Sequence, residues 1–252
     1  ERQLQAVVEF VFRAGGAARV GYGSIVARGD NATILHYTEN DQTIGPSDLV
    51  LIDAGGEVAY QTADITRTFP ASGKFSPEQR AVYQIVLRAE LEAIALCTTE
   101  HRFIEVHDRA VRVLTEGLVE LGLLQGEVDQ LIADEKYKRF YMHRTSHWLG
   151  MDVHDCGRYH DKLPTGNLSR QFAPGMVLTV EPGLYIAADD AEVPERYRGI
   201  GIRIEDDILI TAGAPEVLTA ACIKKIEEIE ATVGSGGRWI AAVDPAFGGP
   251  TA

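Results

Sequence analysis

The sequence is short of several things at once. Its three cysteines, Cys97, Cys156 and Cys222, are scattered over 252 residues. A set that is odd in number and widely spaced gives no disulfide framework and points to a reducing compartment, so a cytoplasmic location is expected. No apolar run approaches the roughly 20 residues of a membrane span, and no leader pattern marks the opening residues. Positive charge is scarce too: 24 Lys and Arg stand against 37 Asp and Glu, a formal net charge of −13. Such a surface repels phosphate backbones and anionic lipid, which argues against nucleic-acid and membrane-surface partners. There is no internal sequence repeat.

Hydrophobic residues make up 45% and charged residues 24% of the chain, the balance of a globular protein with a sizeable core. The length fits one large domain or two small ones. Leu4, Val7, Val8 and Val11 recur at helical spacing, predicting an amphipathic helix over 2–13. Nothing precedes it that would cap it, so the chain is expected to be part of a longer protein. Short strands are predicted over 19–26, 34–37 and 49–52, the last running into Asp53 and a Gly55-Gly56 turn before a second strand reaches Asp64. Ser76-Pro77-Glu78-Gln79 combines an N-cap serine, a proline at the first helical position and a glutamine three residues after the cap. That helix should run to about Cys97, and a second should span 105–122 with Gly122 and Gly126 as stop signals. Strands are expected over 176–180 and 200–210 and a last helix over 219–232. Residues 233–252 read as a loose Gly- and Pro-containing tail in which Trp239 and Ile240 could dock locally.

The acids are not evenly spread. Asp53 and Asp64 close a candidate hairpin, Glu181 follows Leu178-Thr179-Val180, and Glu205 follows Ile202-Arg203-Ile204. One acid after a strand is most often a cap or turn residue, and Arg67 and Arg203 could neutralise neighbours as ordinary ion pairs. Four acids at apolar strand ends are harder to explain by packing, because a buried charge needs a partner or a metal. His143, His147 and His154 add three of the seven histidines within twelve residues, beside Trp148, Leu149, Met151 and Val153, which suggest a partly buried setting. His101, His107 and His160 read as ordinary surface or core groups. One imidazole with four carboxylates is an oxygen-rich donor set, suited to two hard or borderline divalent ions rather than a structural zinc.

LIDAG, ADITRTFP, HRTSHWLGMDVHD, LTVEPGLYI and GIRIEDDILIT, in this order and with ILHYTEN before them, resemble the Xaa-Pro aminopeptidases (aminopeptidase P) of the pita-bread metallopeptidase family. The resemblance covers about residues 1–230. It implies an α+β pita-bread catalytic domain over 1–232, with a curved, mostly antiparallel sheet covered by helices and pseudo-two-fold halves. It implies metal ligands Asp53, Asp64, His147, Glu181 and Glu205 holding two divalent ions, typically manganese, with cobalt, zinc or iron also active in some members. Glu181 is further implied as a proton shuttle. His36, His143 and His154 correspond to histidines that hold the substrate and the tetrahedral intermediate, and Tyr185 and Arg203 to groups around the metals and the substrate pocket. The implied partners are peptides with proline at position two, and the implied assembly is a homo-oligomer of the full-length protein.

The implied reaction is hydrolysis of the first peptide bond by a hydroxide bridging the metals, with Glu181 moving the proton and His154 or His143 donating to the oxyanion. Arg144 departs from the pattern, which often has glycine there; it would alter substrate access or point to solvent. The family's usual N-terminal domain and the first helix of its catalytic domain are also missing from these residues. A prolidase limited to Xaa-Pro dipeptides shares the ligand set and is the nearest alternative. A pita-bread module that binds peptides without cutting them is the alternative of a different kind.

Overall fold

The computed structural model describes residues 1–163 and 166–233. Helix α1 (Arg2–Ala14) leads into strands β1 (Arg19–Val20) and β2 (Ile25–Arg28). A single 3-10 turn, Gly29–Thr33, separates these from β3 (Leu49–Ala54), β4 (Gly56–Val58), β5 (Gln61–Thr62) and β6 (Ile65–Pro70). Two long helices follow, α2 (Pro77–Ile94) and α3 (Phe103–Glu120), then the short α4 (Val128–Ala133). The remainder is β7 (His160–Leu163), β8 (Gly166–Ser169), β9 (Val177–Val180), β10 (Gly183–Ile186), β11 (Ile200–Arg203), β12 (Asp206–Leu209), β13 (Glu216–Val217) and α5 (Ile226–Thr232).

Every pairing among the described strands is antiparallel. β3 lies between β2 and β6, β12 lies between β13 and β9, and β10 pairs with β11. Helices α2 and α3 pack on one another and cover these strands through a core that includes Val82, Val86, Val113, Leu114, Leu118, Leu184 and Ile202. A second cluster joins the ends of the same helices to β9 and β12 through Ala93, Val106, Ala110, Leu178 and Ile208. This is the expected α+β arrangement of helices over antiparallel sheet.

Local signals account for the best-placed elements. The Ser76 hydroxyl accepts from the Gln79 amide and the Gln79 side chain accepts from the Ser76 amide, so α2 starts at a complete capping box with Pro77 next to it. Helix α3 stops where Gly122 takes the left-handed conformation at φ +73°. No residue of α1 is buried, and Phe10 and Val11 stay exposed, so its apolar stripe is only partly covered.

Several expectations need correction. Residues 34–37 form no strand: the loop is held by the Glu1 carboxylate, which accepts from the Tyr37 hydroxyl and the Gln42 amide. The expected strand over 19–26 is broken at Gly21–Ser24. The strand expected over 200–210 is two strands, β11 and β12, parted at Ile204-Glu205, where the amides bond instead to Pro182 and Thr66 carbonyls. The last helix begins at Ile226 rather than 219, because the carbonyls of Cys222 and Ile223 are taken by Arg67. The tail expected over 233–252, with Trp239 and Ile240, lies outside the described residues apart from Val233.

Candidate metal centre

The sheet edges bring the strand-end acids together. Asp53 is the fifth residue of β3 and pairs in register with Thr66 of β6, which places Asp64 just before that strand begins. A Cβ on Gly55 would lie 1.6 Å from the Ala63 carbonyl oxygen, so only glycine lets the two chains close behind the aspartates. His147 is carried by a stretch that runs alongside β9. The Thr179 amide donates to the His147 carbonyl, and the Glu181 amide to the Thr145 carbonyl. Glu205 sits in the break between β11 and β12 with its amide on the Thr66 carbonyl.

One ligand atom each from Asp64, His147 and Glu205 lies within 4.8 Å of the others. His147 Nε2 is 3.4 Å from Asp64 Oδ2 and 3.4 Å from Glu181 Oε1. Its Nδ1 is 3.0 Å from the Trp148 carbonyl, which can only accept, so Nδ1 carries a proton and Nε2 is the nitrogen presented to the acids. Asp53 joins the group through Tyr22, whose hydroxyl is 2.5 Å from Asp53 Oδ1 and 2.5 Å from Asp64 Oδ1. The four acids and the histidine singled out in the sequence are therefore brought to one place.

A second tier of polar side chains orients them. Buried Arg203 donates from Nη2 to Asp53 Oδ2 at 2.6 Å, from Nε to Thr66 Oγ1 at 3.1 Å and from Nη1 to the Tyr185 hydroxyl at 3.0 Å. The Thr66 hydroxyl in turn donates to Glu205 Oε2 at 2.6 Å. Tyr185 lies 2.8 Å from His143 Nε2, while His143 Nδ1 is 2.8 Å from the Arg144 carbonyl. Since that carbonyl only accepts, the neutral His143 holds its proton on Nδ1 and takes the Tyr185 hydroxyl proton at Nε2. Burial keeps His143 neutral, aided by the charge of Arg203, lowering its pKa to about 3.

Behind Glu205, Arg67 donates to the carbonyls of Thr66, Glu205, Cys222 and Ile223 and pairs with Asp206 at 2.7 Å. Ordinary ion pairing thus accounts for Arg67, whereas Arg203 serves the acid cluster itself.

The electrostatics show what this set lacks. Burial first, and then the nearby charges of Asp64 and Asp53, push Glu181 up to about 8, and burial with Asp64 and Glu181 pushes Glu205 well above the carboxylate range. Burial also raises Asp53, against the pull of Arg203. For His147, burial opposes the charged form but is outweighed by the hydrogen bond it donates to Asp64 and by the charge of Glu181, which raise it to about 9. Among the described residues, four carboxylates with Arg203 as the single arginine bonded to them are short of positive charge. Divalent cations would supply it, and oxygen donors with one imidazole are the ligands such ions prefer. The residues present therefore fit the metal site that the strand-end acids suggested.

The group lines a cavity of about 910 Å³. His36, His143 and His154 also line it; His36 and His154 are exposed, as is Met151, so His154 is less buried than expected. His154 packs edge-on against His147 with ring centroids 4.4 Å apart. His107, read from sequence as ordinary, is buried with Nδ1 2.9 Å from Thr145 Oγ1, and it lines the cavity together with exposed His160. His101 keeps the ordinary reading, 3.3 Å from Glu105. Arg144 is both exposed and part of the cavity wall. Sequence reasoning missed Tyr22 and Thr66. Thr66 stood two residues after Asp64 inside a quoted motif, but nothing local marks Tyr22.

The profile of metallopeptidase family M24 matches residues 1–212. The chain belongs to that family. Among curated relatives, the Xaa-Pro aminopeptidase of Escherichia coli K12 is 52% identical over 231 residues, covering 92% of this chain and 51% of that protein. The Xaa-Pro aminopeptidase of Haemophilus influenzae is 49% identical over 231 residues, covering 91% of this chain and 52% of that protein. The solved structure of Pseudomonas aeruginosa aminopeptidase PepP superposes with a TM-score of 0.89 at 53% identity, covering 93% of this chain and 52% of that one. The M24 chain described here thus spans about half the length of the relatives it matches. Its pita-bread fold is the one expected. Among the described residues no helix is long and apolar enough to cross a membrane.

Proposed function

We propose that this M24 domain is the catalytic part of an Xaa-Pro aminopeptidase, releasing the first residue of peptides whose second residue is proline. The observation that carries the reading is the meeting of Asp64, His147 and Glu205 within 4.8 Å, flanked by Asp53 and Glu181, on the wall of a large cavity. Asp53, Asp64, His147, Glu181 and Glu205 would hold two divalent ions, with manganese our first choice. When bound, the ions activate a water and polarise the scissile carbonyl.

The chain's own residues do the rest. The free α-amine of the substrate would be held at the metal centre, which restricts cutting to the first bond. Glu181 takes the water's proton and hands it to the proline nitrogen as that nitrogen leaves. His154 donates to the developing oxyanion, because His143 has both ring nitrogens engaged by Arg144 and Tyr185. Tyr185 and Arg203 keep His143 and Asp53 in place beside the proline ring. His36 lines the same wall and contacts the substrate.

The test combines elemental analysis with hydrolysis. Two ions per chain and release of alanine from Ala-Pro-Ala in manganese buffer are expected, with Glu181→Ala inactive but folded. Cleavage of Ala-Pro alone would make the protein a prolidase. A chain that holds its ions and binds Ala-Pro-Ala without cutting it would be a binding module.

A further inference from the structure

The cavity is larger than a cut confined to two residues requires, since about 910 Å³ lies near the top of the range for small-molecule sites. Its lining is uneven in charge. Asp53, Asp64, Glu181 and Glu205 are gathered at the metal centre, whereas the wall built by the start of α3 and the β7–β8 hairpin, with Phe103, Ile104, His107, Tyr159, His160 and Ser169, brings no carboxylate. Among the described residues, two arginines line the cavity. Arg203 is buried and its donors are taken by Asp53, Thr66 and Tyr185. Arg144 is exposed, and its guanidinium makes no hydrogen bond or ion pair among the described residues; only its carbonyl is engaged, by His143. The next residue, Thr145, has its hydroxyl 2.9 Å from His107 of α3, so Arg144 stands beside the α3 wall; exposed Asp108, an α3 acid in its field, does not line the cavity.

We propose that Arg144 is a specificity-determining residue that binds a substrate carboxylate beyond the proline, either the free C-terminus of a tripeptide or an acidic side chain at position three. This rests on the aminopeptidase reading above. A substrate whose α-amine is held at the metal centre can reach the rest of the cavity only with its first side chain and with the residues that follow the cut. The chain as a whole carries a net charge of −13 and would repel acidic peptides. An unpaired guanidinium on the wall reverses that field locally and offers a forked donor that matches a carboxylate.

The experiment compares four peptides: Ala-Pro-Ala-NH2, Ala-Pro-Ala with a free C-terminus, Ala-Pro-Asp-NH2 and Ala-Pro-Lys-NH2. With the manganese-loaded chain, a carboxylate should raise kcat/KM over the neutral amide by about threefold to tenfold, through KM rather than kcat. The free-terminus and Asp peptides tell which carboxylate is used. Arg144→Ala should bring the ratio to one, Arg144→Lys should keep part of it, and Arg144→Glu should favour the Lys peptide.

A wild-type ratio near one, or a ratio that survives in Arg144→Ala, overturns the proposal. If no peptide is cut, the aminopeptidase reading fails instead, and calorimetric titration with Pro-Ala and Pro-Ala-NH2 still decides. Tighter binding of the free acid that Arg144→Ala abolishes sustains the role of Arg144. Equal or undetectable binding ends it.

Discussion

Arg203 Nη2 lies 2.6 Å from Asp53 Oδ2, a salt bridge with both partners buried. A buried pair contributes modestly as a pair, but removing one partner strands the other's charge. Arg203→Met is therefore expected to destabilise the metal-free protein by about 3 kcal/mol in urea titration. With manganese bound, the ion would offset the Asp53 charge and the loss should shrink. Equal losses with and without manganese would mean that no cation sits beside Asp53.

Tyr22 holds two carboxylates with one hydroxyl, 2.5 Å from each. Tyr22→Phe should leave the fold intact yet weaken manganese binding by about tenfold or more, the usual effect of losing a group that orients metal ligands. Isothermal titration of the metal-stripped protein reads this directly, and an unchanged affinity would remove Tyr22 from the site.

Gly55→Ala would press a methyl group to 1.6 Å from the Ala63 carbonyl oxygen, between the strands that carry Asp53 and Asp64. Backbone cannot rotate away as a side chain can, so a loss of about 3 kcal/mol is expected, together with loss of metal binding. A thermal melt within two degrees of wild type, on the order of 0.5 kcal/mol, would contradict the packing described.

Burial, with the charges of Arg144 and Lys138 adding to it, lowers the His107 pKa to about 4. The unfolded chain binds the proton near pH 6.5, so between those values it holds more protons than the folded one, and stability rises with pH. The contribution is complete above about pH 6.5 and is lost as pH falls towards 4, by about 3 kcal/mol at most. His107→Gln should flatten this slope in metal-free protein, read as the difference between the two urea-midpoint curves from pH 4 to 7. Parallel curves would show that His107 does not titrate as a buried neutral ring.

What was legible in the sequence depended on whether the cause was local. Ser76 and Gln79 cap α2 through contacts three residues apart, so the motif and the structure agree. Asp53, Asp64, Glu181 and Glu205 stood out because acids end apolar strands, a mismatch visible in one dimension. Tyr22 was invisible, since its partners are 31 and 42 residues away and its own surroundings are unremarkable. The break at Glu205 was missed for the same kind of reason. Its amide is claimed by Thr66, 139 residues earlier, while Ile202, Ile204, Ile208 and Ile210 keep a strand-like alternation on both sides of the acids. The start of the last helix was drawn too early because a distant guanidinium, Arg67, takes the carbonyls that would have formed its first turn.

The candidate ligands come from five separate stretches, and the residues from 53 to 205 enclose most of the chain. An ion held by Asp64, His147 and Glu205 is then a non-covalent cross-link that closes loops of very different length, and the entropy it removes from the unfolded chain grows with those lengths. A chelator would act on such a protein much as a reductant acts on a disulfide-tied one. The predicted sign is a seam that opens: in EDTA, proteolysis should cut between the β3–β6 and β9–β12 halves before it reaches α2 or α3, at a rate that falls as manganese is returned.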